Sequence, residues 1–281
     1  MNKNGLILIN KKIGVTSRSV DNFIMKKFST KKVGHLGTLD PFAEGLLVIG
    51  LNEGTKVLPY VIDEPKIYEA TFLLGKETRT LDNTSEIINE APVPKLTKNE
   101  ITQVLQGFVG KITQIPPLTS AIKVDGVPLY KYAHKGIEKE VPEREVMIYA
   151  IELLHYEEPE LTLRISCGSG TYIRTLGNDI AKKLGTVATT IKLKRTNIGS
   201  FSLKNANDLE DEQFNIIAPC SALSHIKSIE VSKDDAKKIK NGIAVSIPSK
   251  ENLLLAIYDN KLLAILERKA ENYVVKRGFN L

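Results

Sequence analysis

Gly34-His35-Leu36-Gly37-Thr38-Leu39-Asp40-Pro41-Phe42-Ala43-Glu44-Gly45-Leu46-Leu47 is the densest stretch of the chain. Glycines at 34, 37 and 45 and a proline at 41 give the backbone an unusual and well-defined path. The run opens into Leu46 to Leu51, which reads as a buried strand. Asp40 lies inside this path, directly before the apolar strand. A carboxylate held rigidly beside low-dielectric core can act as nucleophile, base or stabiliser of a cation. The same residues also fit a simple Asp-Pro turn, with Asp40 capping backbone N–H groups.

The segments around this run alternate between strand and helix patterns. Upstream, Leu6 to Ile9 reads as a buried strand. Ser17 is placed to cap a helix with Val20, Phe23, Ile24 and Phe28 on its inner face. Downstream, Gly54 to Ile62 suggests a short helix. Lys66 to Leu74 alternates, with Tyr68, Ala70, Phe72 and Leu74 on one face. Residues 76–96 read as a long polar loop, Thr97 to Phe108 as an amphipathic helix, and 110–145 as loops and turns. Leu161 to Cys167 is strand-like, and Gly168-Ser169-Gly170 leads into a helix through Ile173, Leu176, Ile180 and Leu184. Val187 to Leu193 and Gly199 to Leu203 look extended. After a loop-rich stretch over 205–229, a helix over Asp234 to Asn241 is closed by Gly242. Leu253 to Tyr258 and Leu262 to Leu266 flank an Asp259-Asn260 turn and predict a hairpin. The pattern predicts an α+β domain followed by a small β-rich appendage.

The chain has 281 residues, 42% hydrophobic and 26% charged, which fits a folded globular protein and excludes collagen, coiled coil and wholesale disorder. Its apolar runs are too short for a spanning helix or a signal-peptide core. Two cysteines, Cys167 and Cys220, suit a reducing cytoplasm. The four histidines (35, 134, 155 and 225) show no metal-ligand spacing. The net charge of +6 is unevenly spread. Residues 1–60 carry 9 basic and 4 acidic side chains, residues 61–160 carry 11 and 17, residues 161–229 carry 9 and 5, and residues 230–281 carry 10 and 7. A polyanion would therefore favour the two ends of the chain, and nucleic acid is the obvious candidate.

Two further segments could carry chemistry. Tyr68 sits on the inward face of its strand, where most tyrosines are core residues. Ser169-Gly170-Thr171-Tyr172-Ile173-Arg174 joins a glycine turn to a helix N-terminus, which is either an anion site or an ordinary turn. Arg174 is equally suited to pairing with a buried carboxylate. No Gly-x4-Gly-Lys-Ser/Thr occurs, which excludes a P-loop.

Taken together, these segments resemble the bacterial tRNA pseudouridine-55 synthases of the TruB type over nearly the whole chain. The Gly34 to Leu47 run matches that family's Gly-His-x-Gly-Thr-Leu-Asp-Pro-x-Ala-x-Gly motif without a break. Gly54-Thr55-Lys56, Tyr68 to Gly75 and Thr78-x-Thr80-x-Asp82 follow in family order. So do Gln114-x-Pro116-Pro117-x-x-Ser120-Ala121-x-Lys123 with Gly126 and Tyr130, then Gly170 to Arg174, and Leu193-Lys194-Arg195-Thr196-x-x-Gly199-x-Phe201. Three positions depart from the pattern: Thr119 where Tyr is frequent, His134 where Arg is frequent, and Ser85 near a usual Gly.

The resemblance implies a pseudouridine synthase catalytic domain over 1–229, with a mixed, largely antiparallel sheet flanked by helices and loops. It implies a small β-rich, PUA-like RNA-binding domain over 230–281. The reaction it implies cleaves a uridine N-glycosidic bond, turns the uracil and joins C5 to C1′, with no cofactor and no metal. Asp40 corresponds to the nucleophile, and attack at C1′, attack at C6 and assistance to C2′ deprotonation all remain open to it. Tyr68 corresponds to the tyrosine that stacks on the target base, and Arg174 to the arginine that pairs with the Asp and would hold it ionised. Tyr172 and Leu193 correspond to pocket walls, and His35 to the histidine that fills the space of the extruded nucleotide. Lys56 corresponds to an RNA-backbone contact, and Thr38 and Lys123 belong to the RNA-binding set. Lys237, Lys238, Lys276 and Arg277 would meet phosphates from the C-terminal module. The implied partner is the T stem-loop of tRNA, bound by a cytoplasmic monomer with no membrane contact and no required protein partner. A non-catalytic RNA-binding or tRNA-folding protein on the same scaffold is the alternative.

Overall fold

Alternation in Lys66–Leu74 buries Tyr68, Ala70, Phe72 and Leu74, and this strand lies near the middle of a ten-stranded sheet. The computed structural model describes residues 3–117, 123–124, 126–129, 132, 137 and 141–281. Its strands are β1 (Gly5–Lys11), β2 (Val33–Leu36), β3 (Glu44–Leu51), β4 (Lys66–Leu74), β5 (Lys76–Thr78), β6 (Ile87–Glu90), β7 (Gly110–Gln114), β8 (Lys123–Val124), β9 (Val127–Pro128), β10 (Arg144–Glu157), β11 (Glu160–Cys167), β12 (Ala188–Ile198), β13 (Phe201–Ser202), β14 (Ile216–Ile217), β15 (Ser228–Glu230), β16 (Leu253–Tyr258), β17 (Lys261–Lys269) and β18 (Asn272–Gly278). The helices are α1 (Ser17–Lys27), α2 (Lys98–Gln106), α3 (Ile173–Lys183), α4 (Pro219–Ala222) and α5 (Lys233–Lys240).

The main sheet runs β14-β1-β3-β12-β4-β11-β10-β7, with β2 on β3 and β13 on β12. It is mixed and largely antiparallel, as expected. The parallel joint is β12 on β3, pairing Lys194 with Glu44 and Arg195 with Gly45. On the other side of β12, Arg195 pairs with Tyr68 of β4. Gly45, Arg195 and Tyr68 therefore form a row across three strands. Gly45 is obligatory there: its φ is +103°, and a Cβ would lie 2.3 Å from the Arg195 carbonyl oxygen. Gly177 plays a similar part where α3 meets the sheet, since a Cβ would lie 1.9 Å from the Phe72 ring.

Two apolar cores sit on the main sheet. Tyr68, Phe72, Leu163 and Ile165 pack with Ile101 and Leu105 of α2 and Leu176 and Ile180 of α3. Ile7, Ile9, Leu47 and Ile49 pack with Val20 and Ile24 of α1. A second sheet, β15-β16-β17-β18, begins at Ser228, two residues before the expected boundary. One face of it packs on α5 through Leu254, Ala256, Leu266 and Ile239. The other face, through Leu255, Leu262, Ile265 and Phe279, shares a core with Leu6, Leu8, Leu46 and Val48 of the main sheet.

Several local expectations change. Thr16, not Ser17, caps α1, its side chain accepting from the Ser19 N–H. The buried face of α1 is Ser17, Val20, Asp21 and Ile24, which leaves Phe23 38% exposed. Residues 52–60 form two short 3-10 turns rather than one helix. Gly54 rests against the backbone of Gly5, and Pro59 supplies no N–H to extend a helix. The polar stretch 76–96 holds the β5–β6 hairpin, in which β6 is exposed throughout and β5 buries Thr78, so pairs such as Lys76–Glu90 leave no apolar alternation. Strand β10 hides its period because two irregularities in its pairing with β11 shift the phase. The Asp259-Asn260 hairpin forms as expected, with both residues at positive φ.

Candidate active site

The loop from Gly37 to Ala43 joins β2 to β3 and carries Asp40 at its tip. Nearly every residue of it is tied down. The Arg195 guanidinium donates to the Gly37 carbonyl at 2.8 Å and to the Leu46 carbonyl at 2.8 Å. Ser17 Oγ donates to the Leu39 carbonyl and accepts from the Leu39 N–H, at 3.0 and 2.9 Å. The Gly14 N–H meets the Pro41 carbonyl at 2.8 Å, and the Ala43 N–H meets the Asp40 carbonyl at 3.1 Å. The Lys11 ammonium, fully buried, donates to the carbonyls of Ala43, Val15 and Lys12. Burial pushes its pKa down to about 8, although the Asp40 charge pulls the other way. A carboxylate on such a loop needs little reorganisation before it acts.

Arg174, on the first turn of α3 and only 3% exposed, reaches the Asp40 carboxylate at 2.9 Å. Its other nitrogen reaches Asp82 at 3.1 Å and the Thr80 carbonyl at 2.8 Å. Asp82 is itself fixed by the Thr80 hydroxyl at 2.7 Å, the Thr84 N–H at 3.0 Å and the Thr84 hydroxyl. One buried cation thus serves two carboxylates. Burial pushes the Asp40 carboxyl above the ordinary range, Arg174 pulls it down, and Asp82 pushes it up again. The net direction is upward, because burial outweighs the pull of Arg174.

Tyr68, 8% exposed, faces the same space. Burial raises its phenol above the ordinary value, while a hydrogen bond and the charge of Arg195 pull it down. The resting pocket therefore offers a neutral ring. A cavity of about 100 Å³ is lined by Thr38, Leu39, Asp40, Tyr68, Thr171, Tyr172, Ile173, Arg174 and Leu193. The fold thus gathers Asp40, Tyr68, Arg174, Tyr172, Leu193 and Thr38 around one opening. The Arg144 guanidinium lies 5.0 Å over the Tyr172 ring and buttresses that wall.

The remaining candidates lie elsewhere. His35 stands just outside, its two ring nitrogens 2.9 Å from Asp21 and 3.1 Å from the Thr38 hydroxyl. The Lys56 ammonium meets Glu53 at 2.7 Å and the Gly278 carbonyl at 2.9 Å, in the seam between the two sheets. Lys237, Lys238 and Lys276 each pair with a neighbouring carboxylate. Lys123 is on β8, but its side chain lies outside the described residues, as do Thr119, Ser120, Ala121, Tyr130 and His134. The anion site considered at Ser169-Gly170 is already filled. Glu64 accepts from the Ser169 N–H at 2.7 Å, Asp63 accepts from its hydroxyl at 2.8 Å, and Gln114 accepts from the Tyr172 N–H at 3.1 Å. Among the described residues no group of three or more His, Cys, Asp or Glu is placed to hold a metal.

Sequence reasoning missed Lys11, Ser17, Asp82 as a partner of Arg174, and Arg195. Lys11 closes an apolar strand that should end in solvent, and it gave the one visible signal. The helix-cap pattern accounts for Ser17 by itself and hides its contact with the loop. Asp82 and Arg195 lie 92 and 21 residues from Arg174, and only the fold brings them to the loop.

The comparisons fall on this geometry. The profile described as TruB family pseudouridylate synthase (N terminal domain) matches residues 25–173. The chain belongs to the TruB family. Among its relatives, the tRNA pseudouridine synthase B of Geotalea uraniireducens is 34% identical over 303 residues, covering 99% of this chain and 98% of that protein. The enzyme of the same name from Hydrogenovibrio crunogenus is 38% identical over 285 residues, covering 99% and 94%. Two solved structures share the fold. A Cbf5–Nop10–Gar1 complex matches with a TM-score of 0.70 at 24% identity, over 98% of this chain and 84% of that one. An H/ACA RNP bound to a substrate RNA containing 2'-deoxyuridine matches with 0.72 at 21% identity, over 99% and 85%. The TruB profile ends at Ile173, one residue before the arginine that reaches Asp40.

Proposed function

We propose that this chain converts uridine 55 in the T loop of tRNA to pseudouridine. The observation that carries the reading is Asp40, on a loop pinned at five positions, paired with buried Arg174 and facing the Tyr68 ring in a narrow opening. The target nucleotide must leave its stack to enter so narrow a pocket, which costs a few kcal/mol. Stacking on Tyr68 returns about 1–3 kcal/mol. The C1′–N1 bond breaks, C5 bonds to C1′, C5 loses its proton and N1 gains one, so no atom is added or lost. Positive charge develops on the sugar during cleavage, and the Asp40 carboxylate is placed to stabilise or trap it.

A binding protein without chemistry would have no use for a buried cation shared by two carboxylates, an arrangement that is expensive to desolvate. In this reading the C-terminal sheet adds affinity, no protein partner is required, and the purified chain acts alone. The test is tritium release from an unmodified tRNA transcript labelled at uridine C5. Release of one equivalent, lost when uridine 55 is replaced by cytidine, is the expected result. Undiminished release from the replaced transcript would reject position 55, and no release from either would reject the activity.

A further inference from the structure

Asp21 is the odd member of the buried face of α1. It is 2% exposed among Val20 and Ile24, in the slot that the helical pattern would give to an apolar residue. Its Oδ2 lies 2.9 Å from His35 Nδ1. Among the described residues its Oδ1 is buried with no hydrogen-bond partner, and Arg18, 3.7 Å from Oδ2, is itself 69% exposed. A buried carboxylate so sparsely served is costly, so its partner matters. That partner, His35, stretches from Asp21 to the Thr38 hydroxyl, 3.1 Å from Nε2. Thr38 lines the pocket that holds Asp40 and Tyr68.

We infer that Asp21 is a positioning residue that acts through His35 to set the hydrogen-bonding sense of Thr38 in the pocket; this rests on the pseudouridine synthase reading above. An ionised carboxylate only accepts, so Nδ1 of His35 carries the proton. The neutral ring then accepts at Nε2, and the Thr38 hydroxyl donates to it. Its lone pairs are left for the pocket, where Thr38 meets the flipped nucleotide as an acceptor. Uridine carries matching donors at N3–H and at the 2′-hydroxyl. Replacing Asp21 by Asn lets an amide N–H face Nδ1, which moves the ring proton to Nε2 and turns Thr38 from donor into acceptor toward His35.

Two measurements test this, one independent of turnover. Long-range proton–nitrogen NMR of the histidine rings at pH 8, with His35→Gln assigning the signal, should show His35 as the Nδ1–H tautomer. The Nε2–H tautomer, or a doubly protonated ring, in the wild-type protein would overturn the inference whether or not the chain modifies tRNA. Asp21→Asn should shift the proton to Nε2. Failure of wild-type turnover would instead strike the enzymatic reading and leave the NMR result standing. In turnover assays Asp21→Asn and Thr38→Val should each lower kcat about tenfold, with tRNA affinity nearly unchanged. The double variant should be no slower than the slower single one, because both remove one interaction. Thr38→Ser keeps the hydroxyl and should restore most of kcat. Additive losses in the double variant, or a Thr38→Ser enzyme as slow as Thr38→Val, would show that Asp21 does not act through this hydroxyl.

Discussion

The Asp40 pocket and the C-terminal sheet treat charge in opposite ways. Around Asp40 the fold buries Arg174, Asp82, Lys11 and Arg195 and ties each to backbone or to another charge. In the C-terminal sheet and the helix packed on it the core is apolar, and the charges sit outside in short-range pairs such as Lys276–Glu267 and Lys238–Asp235. Burying charge is expensive and does not by itself stabilise a fold. The contrast separates a region that buries charge at a cost from one that simply packs.

The comparison breaks first, and most severely, at Arg174. Arg174→Met leaves half-buried Asp40 and buried Asp82 without their common cation. Loss of kcat by about a thousandfold is expected, with a destabilisation of about 3–5 kcal/mol by denaturant titration. A folded variant with near-normal turnover would show that the pair is structural only. Asp82→Asn should be milder. It removes one of two carboxylates and frees Arg174 to turn, and a fall in kcat of about 10–100-fold is expected with little change in tRNA affinity.

Asp40 gives the comparison its sign. Its folded-state pKa is raised by burial. A carboxyl raised on folding contributes stability that is full below its unfolded pKa and is lost as pH rises through the folded value. At neutral pH the ionised Asp40 therefore costs stability, and Asp40→Asn should melt at or above the wild-type temperature. The acid limb of kcat/KM should lie above the ordinary Asp range, since turnover needs the carboxylate. A clearly lower melting temperature for Asp40→Asn would reverse the account.

On the C-terminal side the effects should be small for charge and large only for apolar surface. Lys276→Gln and Lys238→Gln should each leave the melting temperature nearly unchanged. Removing residues 228–281 would uncover Leu6, Leu8, Leu46 and Val48, so a truncated chain tests packing as well as RNA affinity. Point changes of Arg277 on the exposed β18 edge separate the two.

Strands β4 and β11, which alternate, and β1 and β3, which are buried on both faces, were legible from alternation or apolar runs, and the turn at 259–260 from its residue types. Strand β10 was not, because its irregular pairing breaks the period. Asp40 stood out through the glycines and proline around it, Tyr68 through its strand phase and Arg174 through the glycine turn before its helix, and the family resemblance gave the latter two their roles. The supporting groups were invisible for a different reason. Lys11, Ser17 and Arg195 act on backbone carbonyls and amides contributed by other segments, and no local pattern encodes such a contact. Asp21 occupies a core position on α1 that helical periodicity assigns to an apolar side chain.

The central claim is that Asp40 performs the chemistry in a pocket that binds RNA without it. The direct measurement is single-turnover tritium release from C5-labelled tRNA transcript by wild type and Asp40→Asn, with tRNA binding followed on the same samples. The account predicts release by wild type, none above background by Asp40→Asn, and dissociation constants within a few-fold of each other. Release by Asp40→Asn at a rate near wild type would contradict it.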